Sequence, residues 1–184
     1  MKTLIIALVA LLAWPVYAQE DAMKDLPGYV DFGQLNSLFG EPSVQIAVGE
    51  SLLGMVSAIS ANEDPEVAAL FNRLKGVRVN VFETASLDES AVDHVKNVSS
   101  KLSDMGWESV VTVNSADEQV RIFMKISNNM VEGITVMAVE DQESVFINVI
   151  GNINPAELGR VMDNFDISFE NGGSQGGSAN ESEE

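Results

Sequence analysis

The chain contains no cysteine. Thiol catalysis, disulfide staples and cysteine-ligated metal centres are therefore excluded. So is the lipid-bearing cysteine that would follow the leader of a bacterial lipoprotein. Histidine occurs once, as His94. One imidazole cannot build the usual zinc site. A serine hydrolase would need it to meet a serine and an orienting acid, and no Gly-x-Ser-x-Gly elbow is present. His94 falls at the edge of an apolar helical stripe, between Ala91 and Val98, and reads as a half-exposed surface residue.

Basic residues are also scarce: 10 Lys and Arg stand against 28 Asp and Glu, a formal charge of -18. Nucleic acid and anionic membrane surfaces would be repelled, so neither is an expected partner. Phosphate-binding glycine loops are missing, and no cofactor is expected. Calcium loops of Asp-x-Asp-x-Asp-Gly spacing are missing too. Weak calcium binding at Glu140-Asp141-Gln142-Glu143, or near Asp163 and Asp166, stays open. Asn97-Val98-Ser99 matches a glycosylation acceptor but sits on a predicted helix.

Long apolar runs are limited to one. Met1-Lys2 gives a short basic start, residues 3–13 are almost unbroken apolar, and Val16-Tyr17-Ala18 supplies small side chains at a cleavage site. This reads as a signal peptide over 1–18, cut between Ala18 and Gln19. Its apolar core is too short to span a bilayer, which takes about 20 residues. The expected location is the periplasm or the medium, with no stable membrane anchor after cleavage. Loss of Lys2 leaves nine of the 10 basic residues and takes the charge from -18 to -19.

The remainder reads as one α+β domain over 26–169, followed by a disordered acidic Gly/Ser-rich tail over 170–184. Tyr29, Phe32, Leu35 and Phe39 form a lead-in that packs onto the body. A short strand is predicted over 43–48 and a helix over 50–60. Asp64-Pro65-Glu66 starts another helix, since Asp64 can cap it and proline suits its first position. That helix is expected to run through Leu74 and stop at Gly76, before a strand over 77–82.

Ser86 and Glu89 form a capping box for the next helix, with Ala91, Val95, Val98, Leu102 and Met105 on one stripe. Four strands follow, over 107–113, 119–126, 134–139 and 145–150. Short polar connections make them an antiparallel meander. One or two earlier strands should extend it, with three to four helices packed on the sheet. Asn154-Pro155 opens a last helix with Leu158, Val161, Met162 and Phe165 on one face.

The meander has an unusual pattern. Val111, Val120, Ile122, Met124, Ile126, Val145, Ile147 and Val149 share one face, enough for a core. The other face should be polar if solvated. It carries Val110, Phe123, Met137, Val139, Phe146 and Ile150 among Arg121, Lys125 and Asn148. Either helices cover part of both faces, or Phe123, Arg121, Lys125, Met137, Phe146 and Ile150 form an exposed patch for another protein or an apolar ligand, with Arg121 and Lys125 suited to an acidic peptide or a lipid headgroup.

Several words of the sequence resemble an uncharacterised bacterial family, domain-of-unknown-function family 4252. They are Pro27-Gly28-Tyr29-Val30-Asp31-Phe32, Val44-Gln45-Ile46-Ala47-Val48-Gly49, Leu74-Lys75-Gly76-Val77-Arg78-Val79, Gly106-Trp107-Glu108 and Ile147-Asn148-Val149-Ile150-Gly151. The resemblance spans about residues 26–165. It implies exported proteins or lipoproteins of Gram-negative bacteria and supplies no functional residue. The expected function is a non-enzymatic binding or interaction module of the periplasm, in envelope stress or surface assembly. The alternatives are a carboxylate-based hydrolase of envelope polymers and a small carrier of lipids or other apolar ligands.

Overall fold

The computed structural model describes residues 20–83 and 89–155. The leader, Ser86 of the capping box, the last helix beyond Pro155 and the 170–184 tail lie outside the described residues. The architecture is α+β, with four helices and one antiparallel sheet of six strands among the described residues. In chain order these are α1 (Leu35–Phe39), β1 (Val44–Gly49), α2 (Glu50–Ser60), α3 (Pro65–Arg73), β2 (Leu74–Glu83), α4 (Glu89–Asp104), β3 (Glu108–Asn114), β4 (Glu118–Ser127), β5 (Met130–Glu140) and β6 (Glu143–Ile153). The strand order is β1-β2-β6-β5-β4-β3. The four later strands pair with their chain neighbours, and β2 then β1 extend the sheet from β6.

Local chemistry accounts for several boundaries. The Asp64 carboxylate accepts from the amides of Glu66 and Val67 at 3.1 and 3.0 Å, capping α3 ahead of Pro65. Asn128 and Asn129 take positive φ values of 50° and 62°. That left-handed pair suits the twist of the β4–β5 hairpin.

The α3 helix ends earlier than its sequence suggests. Leu74 is already extended, pairs opposite Gly151 and buries its side chain beside Leu53. Strand pairing and burial outweigh one more helical turn here. Gly76 is not the helix stop; it lies within β2, where an added Cβ would stand 2.2 Å from Sδ of Met23. In α4 the stripe Ala91, Val95, Val98 and Leu102 is buried, but Met105 lies past the helix and is 52% exposed. Gly106, with φ of 79°, turns the chain there.

The main core lies between α4 and one sheet face. Phe82, Phe123, Met137, Val139 and Phe146 rise from the strands to meet Val95, Val98 and Leu102. The lead-in contributes Val30, Phe32 and Leu35, with Phe39 packed against them. Phe146 sits at the centre, with the ring centroids of Phe32, Phe39 and Phe82 at 5.5, 5.3 and 6.1 Å from its own in tilted and edge contacts.

Helices therefore cover part of both faces, the first of the two alternatives: α4 and the lead-in lie on the aromatic face, and α2 with α3 on part of the valine-rich one. Phe123, Met137, Phe146 and Ile150 are at most 3% exposed, and Arg121 is 8% exposed. Lys125 is half-buried. No exposed patch forms there, because α4 and the lead-in lie over that face. The valine-rich face that looked like the core is the one left partly open.

Candidate functional site: an open apolar sheet face

Polar residues on the covered face act as anchors for the lead-in. Asn148 is fully buried; its Oδ1 accepts from the Val30 amide at 2.9 Å, and its Nδ2 donates to the Gly28 carbonyl at 2.9 Å. Arg78 donates to the Val30 carbonyl at 2.8 Å and pairs with the Glu20 carboxylate. Its guanidinium also lies 4.6 Å from the centroid of the Tyr29 ring. Burial, above all, holds the Tyr29 phenol above its ordinary value of 10.0; Glu20 acts in the same direction and Arg78 opposes it. Close approach is possible because Gly28 has no side chain: a Cβ there would stand 1.9 Å from the Glu132 carbonyl oxygen.

Arg121, read from the sequence as a ligand-facing cation, is committed internally. Its guanidinium donates to the carbonyls of Val113 and Val120 at 2.7 and 2.8 Å and to Asn114 Oδ1 at 2.5 Å. His94 is likewise structural. Its Nε2 lies 2.8 Å from the Phe32 carbonyl, which can only accept, so that nitrogen carries the proton. A surface groove brings His94 near Asp31, Ser100 and Asp104, yet the Ser100 hydroxyl donates to the Lys96 carbonyl at 3.0 Å. Serine and histidine are thus each satisfied by backbone, without the relay that nucleophilic attack requires. Among the described residues, no group of three or more Asp, Glu or His is placed to hold a metal ion.

The opposite face carries the feature that the sequence reading assigned to the core. Strand register aligns its side chains in rows across the sheet. One row is Val44, Val81, Val145, Ala138, Val120 and Val113. The next is Ile46, Val79, Ile147, Val136, Ile122 and Val111. Both rows are wholly apolar. Val44 and Ile46 are exposed, at 44% and 42%, and the other ten side chains are half-buried. Neighbouring β-branched side chains in adjacent strands shield one another in part.

The third row is partly covered. Leu53 of α2, with Leu70 and Phe71 of α3, packs on Val48, Val77, Val149 and Ile134. At the other end of the rows stand carboxylates: Glu83 opposite Glu143, and Glu118 opposite Glu140. The face is therefore an apolar floor bounded by helices on one side and by acids on the other.

The sequence matches the family described as a domain of unknown function, DUF4252, over residues 39–161. The chain belongs to the DUF4252 family. No curated protein sequence matches it. The matched region of this DUF4252 protein contains every strand of the sheet, and with them both apolar rows. Among the described residues, no helix is long and apolar enough to cross a membrane.

The site escaped the sequence reading for a physical reason. Valines on the open face and aromatics on the covered face both read as buried strand. Asn148 and Arg121 then suggested solvent where there is none. A usable signal was present in Gly28 and Gly133, whose backbones meet closely: a Cβ on Gly133 would stand 2.8 Å from the Gly28 Cα. Such contact marks the strand face on which the lead-in lies.

Proposed function

We propose that this DUF4252 protein is exported and works as a non-enzymatic interaction module, using the open valine face as its contact surface. The observation that carries the reading is the pair of apolar rows running across all six strands without one polar side chain. A contiguous apolar area of this kind on a folded domain marks a contact surface. The leader pattern of residues 1–18 supports export to the periplasm or medium, where a role in envelope stress or surface assembly fits a strongly acidic, cysteine-free chain.

Photo-crosslinking in the native host tests this. A crosslinkable residue at position 122 or 147 should give a discrete adduct that is absent when the same residue replaces Asp93 or Ser103 on the exposed side of α4. Adducts that form equally from both sets, or from α4 alone, would refute the valine face as the contact surface.

A further inference from the structure

The boundaries of the open face narrow the choice of occupant. Its floor crosses the sheet for about 24 Å, at roughly 4.8 Å per strand gap. The two open rows are about 7 Å apart. The α2–α3 pair already fills the helix layer at one end of the face. The two rows beside it match the length of one more helix of about 16 residues, which is about 24 Å long. Along its other side that helix would meet Glu83, Glu143 and Glu118. None of these three takes part in an ion pair among the described residues. Glu83 and Glu143 also stand directly opposite one another, an arrangement that like charges destabilise. A cation between them would relieve it.

We infer that the face receives an amphipathic helix from a partner protein, with an apolar stripe on the valine floor and basic side chains along the flank facing Glu83, Glu143 and Glu118. The inference rests on the interaction-module reading and names the partner's chemistry. Other occupants fit the charge less well. A second copy carries the same strongly negative charge, -18 over the full sequence, and brings its own acidic rim. The chain's own residues 156–169 bring Glu157, Asp163 and Asp166 against Arg160 alone. An anionic lipid surface would be repelled.

The test uses a labelled synthetic helix of about 16 residues, with leucines at i, i+3, i+4 and i+7 and lysines along one flank. A twin peptide carries glutamates in place of the lysines. Binding to the chain beginning at Gln19 is read by fluorescence anisotropy. The lysine peptide should bind and the glutamate peptide should not. Combined Glu83→Gln, Glu118→Gln and Glu143→Gln substitution should weaken the lysine peptide about tenfold or more, as should raising salt to about 0.5 M. The triple variant removes like-charge opposition, so its fold should be at least as stable, which separates lost binding from unfolding.

Equal binding of both peptides would overturn the proposed role of the rim. Binding of neither, with the chain sedimenting as a dimer, would identify a second copy as the occupant. Binding that appears only after serine replaces Leu158, Val161, Met162 and Phe165 would identify the chain's own segment. Binding of neither peptide under any of these conditions would end the inference. In each of those cases the crosslinking at positions 122 and 147 still judges the broader reading independently.

Discussion

Asn148, at the centre of β6, holds the Val30 amide at 2.9 Å across 118 residues of sequence. This contact fixes which side of the sheet the lead-in covers, and so which side remains open. The buried amide side chain also satisfies the Gly28 carbonyl, again at 2.9 Å. Asn148→Ala would leave two backbone groups buried without partners, at about 1–3 kcal/mol each. The expected result is a loss of about 2–5 kcal/mol in urea unfolding. A change below about 0.5 kcal/mol would mean that the lead-in is not docked as described.

Adjacent residues on opposite faces should respond very differently. Phe146 is fully buried among aromatic rings, so Phe146→Ala should cost about 3–5 kcal/mol. Ile147 is half-buried on the open face. Ile147→Thr keeps the β-branched shape and should cost about 1 kcal/mol or less. Paired denaturation curves of the two variants check the assignment of faces. Equal losses would contradict it.

Ser144 is fully buried, and its hydroxyl has no hydrogen-bond partner among the described residues. Removing an unpaired buried hydroxyl relieves its desolvation cost. Ser144→Ala should therefore leave stability unchanged or raise it by about 1 kcal/mol. A marked loss of stability on chemical denaturation would show that the hydroxyl is engaged.

Alkaline pH should weaken the lead-in clamp. The Tyr29 phenol titrates above its ordinary value of 10.0 in the folded chain, chiefly through burial. Its stabilising contribution is present in full below that ordinary value, where both states hold the proton. It is lost as pH rises through the folded value, because the unfolded chain ionises first. Urea midpoints measured from pH 8 to pH 11 should fall less steeply in Tyr29→Phe than in the parent chain. Identical slopes would rule out this linkage.

Much of the fold was legible in the sequence because local chemistry and periodicity agreed. Asp64-Pro65 marked the start of α3, the stripe from Ala91 to Leu102 marked α4, and polar turns such as Asn128-Asn129 separated the hairpins. The choice of covered face was not legible. Both faces of β4, β5 and β6 are rich in apolar side chains, and alternation alone cannot rank them. The decision came from long-range contacts: the Gly28–Gly133 approach, and the bonds from Asn148 and Arg78 to the lead-in. Leu74 shows the same effect on a smaller scale. Its helical periodicity yielded to strand pairing with Gly151.

Isoleucine methyl groups report directly on how open the valine face is in the folded monomer. Ile122 and Ile147 lie on the open face, whereas Ile150 and Ile153 are 2% and 1% exposed. With a soluble paramagnetic probe added to isoleucine-labelled protein, the methyl signals of Ile122 and Ile147 should broaden strongly. Those of Ile150 and Ile153 should persist. Equal protection of all four would show that the face is covered in the free protein and would overturn the valine face as the contact surface.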